Sequence, residues 1–109
     1  MTAMEYDVMN GFTAIAEPTR RSILDLLRTG ERDVGSLVDA LDLPQPLVSK
    51  HLRVLRDAGA VEVELAGKRR VYRLAGQPLP DVLAWVRPYV ELWSTSLDRL
   101  EEALDEDDS

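Results

Sequence analysis

Residues 33–74 read DVGSLVDALDLPQPLVSKHLRVLRDAGAVEVELAGKRRVYRL, and the order of elements in this stretch decides the fold. Asp33 is a residue type that caps helices, and Val34, Leu37, Val38 and Leu41 follow at helical spacing, so a helix is predicted over 34–41. Leu43 and Pro44 stop it. A second helix starts near Gln45, with Pro46 tolerated in its first turn, and Val48, Leu52 and Leu55 give it one apolar edge. It ends at Ala58-Gly59, a glycine C-cap. Val61, Val63 and Leu65 then alternate with Glu62 and Glu64, Ala66-Gly67 turns the chain, and Val71 and Tyr72 reopen a strand. This predicts a two-stranded hairpin. Two short helices joined by a tight turn, with polar and basic residues on the second, make a helix-turn-helix over 34–58, and the hairpin over 61–74 is its wing.

On either side of this unit the sequence predicts helices. Upstream, a short helix over about 6–16 places Val8, Phe12, Ile15 and Ala16 on one side, and another begins at Pro18 and ends before Gly30, with Ile23, Leu24, Leu26 and Leu27 facing the core. Downstream of Pro78 and Pro80, Asp81 is placed to cap a long helix reaching about Leu104. Along it Val82, Trp85, Val86, Tyr89, Trp93, Leu97, Leu100 and Leu104 recur at near-heptad spacing, and Pro88 is a site for a bend. The expected class is mostly α with a small β-hairpin: one winged helix-turn-helix domain over 1–104, with outer helices at 5–16 and 81–104, then an acidic tail over 105–109.

A chain of 109 residues suits one core, and no second domain fits. The absence of cysteine excludes disulfides, thiolate nucleophiles and thiol redox switches, and a reducing cytoplasm is the expected compartment. The N-terminus carries acids where a signal peptide needs basic residues, and no long apolar run suggests a membrane span. The net charge of −7 conceals a division along the chain. Residues 98–109 hold seven acids against Arg99, whereas residues 45–73 hold seven basic side chains against three acids. That positive segment suits a polyanion.

The residue types on the second helix match the chemistry of base edges. Gln45 can bond adenine bidentately, Lys50 and Arg53 can pair with guanine, and the small Ser49 permits close backbone approach. Taken alone, such a helix reads equally well as a solvated surface. The wing, with Lys68, Arg69 and Arg70 at its tip and returning arm, tips the balance toward DNA by supplying phosphate or minor-groove contacts beside the helix.

From about Phe12 to Leu74 the sequence resembles the ArsR/SmtB family of bacterial transcriptional repressors, most tellingly in EPTRRSILDLL, PLVSKHLRVLRDAGAV and GKRRVYRL. The resemblance implies a homodimeric repressor that reads an inverted repeat in double-stranded DNA, with Gln45, Pro46, Ser49, Lys50, Arg53, Lys68, Arg69 and Arg70 at or near bases and phosphates. It also implies a dimer interface built from the first and last helices, here through Phe12, Trp85, Tyr89, Trp93, Leu97 and Leu100. The sequence supports that interface independently, because these side chains offer more apolar surface than a small domain covers alone. Within it, Trp85 is expected in the chain's own core and Trp93 nearer the partner. His51, in the family's S-x-H-L run, is expected to be structural or phosphate-facing.

Where metal-sensing relatives place a cysteine pair, this chain reads ERDVGSLVDAL, with Asp33 and Asp39 but no sulfur, and the last helix has carboxylates but no histidine. No metal or cofactor is expected, since soft and borderline metals prefer thiolate and imidazole. Enzymatic function finds no support either: there is no glycine-rich phosphate loop, and Ser49 and His51, two apart on a helix, face different ways. Two alternatives stay open at this level, a protein-interaction module on a winged scaffold and a repressor answering to an apolar ligand held near Trp85, Tyr89 and Trp93. The effector, if one exists, is unknown.

Overall fold

A computed structural model describes residues 10–108. Its helices are α1 (Gly11–Ile15), α2 (Pro18–Leu27), α3 (Val34–Leu41), α4 (Gln45–Asp57) and α5 (Pro80–Asp108), and its strands are β1 (Arg32–Asp33), β2 (Val61–Ala66) and β3 (Arg69–Leu74). The central unit has the expected boundaries because its signals are local. Asp33 caps α3 by accepting the Ser36 N–H at 2.8 Å, and Asp42 closes the helix in a left-handed conformation. Pro44 leads into α4, whose Val48, Leu52 and Leu55 are fully buried. Those three residues form the centre of a core completed by Ala14, Ile23, Leu27, Leu37, Ala60, Val61 and Tyr72.

The sheet is larger than the expected hairpin. β2 and β3 pair in antiparallel register from Val61↔Leu74 to Ala66↔Arg69, and β1 adds a third strand through Arg32↔Tyr72 and Asp33↔Val71, giving the order β1-β3-β2. A two-residue strand carries no period-2 signal, which is why the sequence shows only two. The turn at Gly67-Lys68 puts Gly67 at a φ of 67°, the conformation that a tight hairpin requires at its first central position.

The first helix among the described residues starts later than the expected one. Asn10 has an extended backbone and caps α1 by accepting the Thr13 N–H at 2.8 Å, so α1 starts at Gly11; residues 5–9 of the expected helix, Val8 included, lie outside the described part. Ala14 is the side chain of α1 that enters the core. Arg20 from α2 then holds the end of α1: its Nε donates to the Ala14 carbonyl at 2.8 Å and its Nη2 to the Thr13 carbonyl at 3.1 Å. Arg21 Nη1 adds the Ile15 carbonyl at 2.8 Å. Arg20 and Arg21 thus bond three carbonyls at the C-terminal end of α1, among them that of Thr13, which also accepts the Ala16 N–H at 3.2 Å.

Asp81 is a link between helices rather than the expected cap. α5 begins at Pro80, following Leu79 at a φ of 55°, and the Asp81 carboxylate accepts the Gly11 N–H at 2.9 Å. The approach is close: a Cβ on Gly11 would collide with Asp81 Oδ1 and press on Val82. Gly11→Ala is therefore expected to destabilise the protein by about 1–3 kcal/mol, read as a lower midpoint in urea at unchanged slope. α5 runs through Pro88 to Asp108, so residues 105–108 continue the helix past Leu104. Neither Gly nor Pro follows Leu104 to stop it.

Candidate nucleic-acid interface

The outward side of α4, the N-terminus of α3 and the wing enclose an open trough of about 860 Å³. Gln45, Ser49, Arg53, Lys68, Arg69 and Arg70 line it, so six of the eight residues expected at DNA meet on one surface. Pro46 and Lys50 do not line it, although both are exposed on α4. Lys50 lies about 100° around the helix from Ser49, which turns it to the flank. Arg56, which the sequence reading left among the general basic residues, belongs to the trough. Its spacing was the available signal: positions 45, 49, 53 and 56 succeed one another by four, four and three and so share a helix face. Five cations face two carboxylates, Asp33 and Asp57, around this wall.

The period of the strand divides the wing's cations. Arg70 stands opposite Leu65 in the register, next along that face from the buried Tyr72, and together with Lys68 it has no ion pair among the described residues. Arg69 and Arg73 occupy the other face and are both engaged. Arg73 bridges Glu64 at 2.7 Å and Glu62 at 3.3 Å, while Arg69 donates to Asp33 Oδ2 from Nε at 2.9 Å and Nη2 at 2.7 Å. Arg73 thus adds little positive field to the segment whose charges were counted as basic.

His51 sits on the inner side of α4, with 9% of its surface exposed. Its Nδ1 lies 3.4 Å from Arg20 Nη1 and 3.8 Å from Glu17 Oε2. These contacts tie α4 to the α1–α2 corner. Of the two expected roles, structural and phosphate-facing, the geometry gives the structural one.

Two caps in this region are acid-sensitive. The Ser36 N–H and then Arg69 hold the Asp33 carboxyl below the ordinary aspartate range. For Glu17 burial works the other way, but the Arg20 N–H, His51 and Thr19 together leave its carboxyl lowered. Stability from a lowered carboxyl is complete above its unfolded-state pKa and disappears as pH falls through the folded value. Asp33→Ala and Glu17→Ala are thus expected to cost stability at neutral pH and to flatten the loss of stability below about pH 4, followed by urea unfolding at successive pH values.

The outer helices present the second surface. Trp85 is 59% exposed, which corrects its expected place in the chain's own core; it meets Phe12 edge-on at 6.1 Å between centroids and lies tilted against Tyr89 at 5.0 Å. Among the described residues, five-residue α1 spans only a fraction of a helix about 43 Å long. Tyr89, Trp93, Leu97 and Leu100 are all at least half exposed, Trp93 at 66%.

The family model described as bacterial regulatory protein, arsR family, matches residues 17–63. The transcriptional repressor SdpR of Bacillus subtilis is 33% identical over 81 residues, covering 74% of this chain and 90% of that protein. The chain belongs to the arsR family. Another ArsR-type relative, the HTH-type transcriptional repressor SmtB of Mycobacterium tuberculosis, is 47% identical over 70 residues, which are 64% of this chain and 52% of that repressor. The match thus spans about half the length of that relative. Among solved structures, the homodimeric winged helix-turn-helix DNA-binding domain of a possible ArsR-family regulator from Mycobacterium bovis aligns with a TM-score of 0.64 at 30% identity, covering 83% of this chain and 82% of that one. The fold of this ArsR-family chain is therefore the winged helix-turn-helix, and no helix among its described residues is long and apolar enough to cross a membrane.

Proposed function

We propose that this chain is a sequence-specific DNA-binding repressor that acts as a homodimer on an inverted-repeat operator. The observation that carries the reading is the trough itself, in which Arg53 and Arg56 of α4 and Lys68 and Arg70 of the wing converge beside Gln45 and Ser49. In this reading α4 enters the major groove, Gln45, Ser49 and Arg53 meet base edges, and the wing cations meet the flanking backbone. Pro46 and Lys50 act at the margin, Lys50 on a phosphate. The names of SdpR and SmtB as repressors, and of the M. bovis domain as homodimeric and DNA-binding, support the same direction.

The dimer forms through Phe12, Trp85, Tyr89, Trp93, Leu97 and Leu100, and places two α4 helices about 34 Å apart to read half-sites one turn distant. No catalytic step is part of the proposal, and its compartment is the cytoplasm, where the operator lies. The test is an anisotropy titration with the DNA upstream of the chain's own gene and a shuffled duplex of equal length, at two salt concentrations. Binding that prefers the upstream DNA and weakens steeply with salt is expected. Failure to bind either duplex at low salt contradicts the reading.

A further inference from the structure

Asp33 stands where three elements meet. It ends β1, it caps α3 through Oδ1 and Ser36, and through Oδ2 it takes both donors of Arg69 on β3. The pairing Asp33↔Val71 brings Arg69 to the same face two residues along the strand, so the contact is set by register as well as by charge. Its carboxylate also lines the trough. An acid on a wall meant for phosphates weakens binding if it acts only as a charge.

We propose that Asp33 is a positioning residue for the wing, and that Arg69 is committed to Asp33 rather than to a phosphate. The two-pronged contact ties β3 to the first turn of α3 and so sets the height of Lys68 and Arg70 over α4. Two guanidinium N–H donors converging on one carboxylate oxygen, whose partner oxygen is held by the Ser36 N–H, restrict direction as well as distance. The inference rests on the DNA-binding reading and refines it: of the three adjacent wing cations, Lys68 and Arg70 face the polyanion and Arg69 faces the protein.

Arg69→Gln, Asp33→Asn and the double variant test this. Asparagine keeps an acceptor for the Ser36 N–H, so the cap survives while the ion pair is lost. Each protein is titrated across a salt series with an operator duplex selected by the wild type from a random pool, and with an unselected duplex. Arg69→Gln is expected to weaken operator binding about fivefold while leaving the slope of log affinity against log salt unchanged. Asp33→Asn is expected to weaken operator binding by a similar factor although it removes a negative charge from the trough. The double variant is expected to be no weaker than either single one. A slope reduced by about one in Arg69→Gln makes Arg69 a phosphate contact and overturns the proposal. So does tighter operator binding by Asp33→Asn. In both cases the wild type still binds, whereas a wild type that binds neither duplex overturns the DNA reading together with the inference.

Discussion

Replacing Arg53 and Arg70 together by glutamine is expected to lower operator affinity by about 2–4 kcal/mol, roughly 30- to 1,000-fold, and to reduce the salt slope by about two. The two arginines come from different elements and both line the trough without an ion pair among the described residues. Each is therefore available to a phosphate or base edge with no ion pair among the described residues to break first. Both side chains are exposed, so the melting temperature should move little. Arg73→Gln is the matched control. It removes the same charge from the same strand, but Arg73 is held by Glu62 and Glu64, and the slope should stay that of the wild type. Equal slope losses in Arg73→Gln and in Arg70→Gln would mean that total charge, and not the trough, governs binding.

Placing aspartates at Trp93 and Leu97 is expected to convert the dimer to a monomer and to reduce operator affinity by at least 10²-fold, since two half-site contacts then no longer reinforce one another. A carboxylate buried in an apolar seam without a partner costs several kcal/mol, more than such an interface can absorb. Because Trp93 is 66% and Leu97 50% exposed in the single chain, the monomer should keep its fold. Light scattering coupled to gel filtration gives the mass, and circular dichroism the helix content. A variant that remains dimeric would move the interface elsewhere. Loss of helix content with the mass change would instead make these side chains part of the fold itself.

How much of this was legible before the structure depended on how local each signal was. The α3–α4 unit was readable residue by residue, because Asp33, Pro44 and Gly59 mark its limits and Val48, Leu52 and Leu55 its buried edge. Half of the six trough residues expected at DNA, Gln45, Ser49 and Arg53, followed from the same helical period, and the other half from the hairpin. What escaped was non-local. Asp81 looks like a cap from its neighbours, and only the approach of Gly11, seventy residues away, makes it a tie between helices. Trp85 is expected in the chain's own core against the first helix, but its ring meets Phe12 only edge-on and stays 59% exposed. Arg69 reads as one of three equal cations, and the strand β1 that turns it toward Asp33 is too short to announce itself. His51 needed Arg20, thirty-one residues distant, to settle which of its two roles it takes.

The most direct test of the central claim is an amide-resolved NMR titration of the wild-type protein with its operator duplex. The account expects the largest shifts at Gln45, Ser49, Arg53 and Arg56 on α4 and at Lys68 and Arg70 on the wing, with the Trp85–Leu100 stretch of α5 unmoved. Shifts confined to α5, or none at saturating DNA, would contradict it.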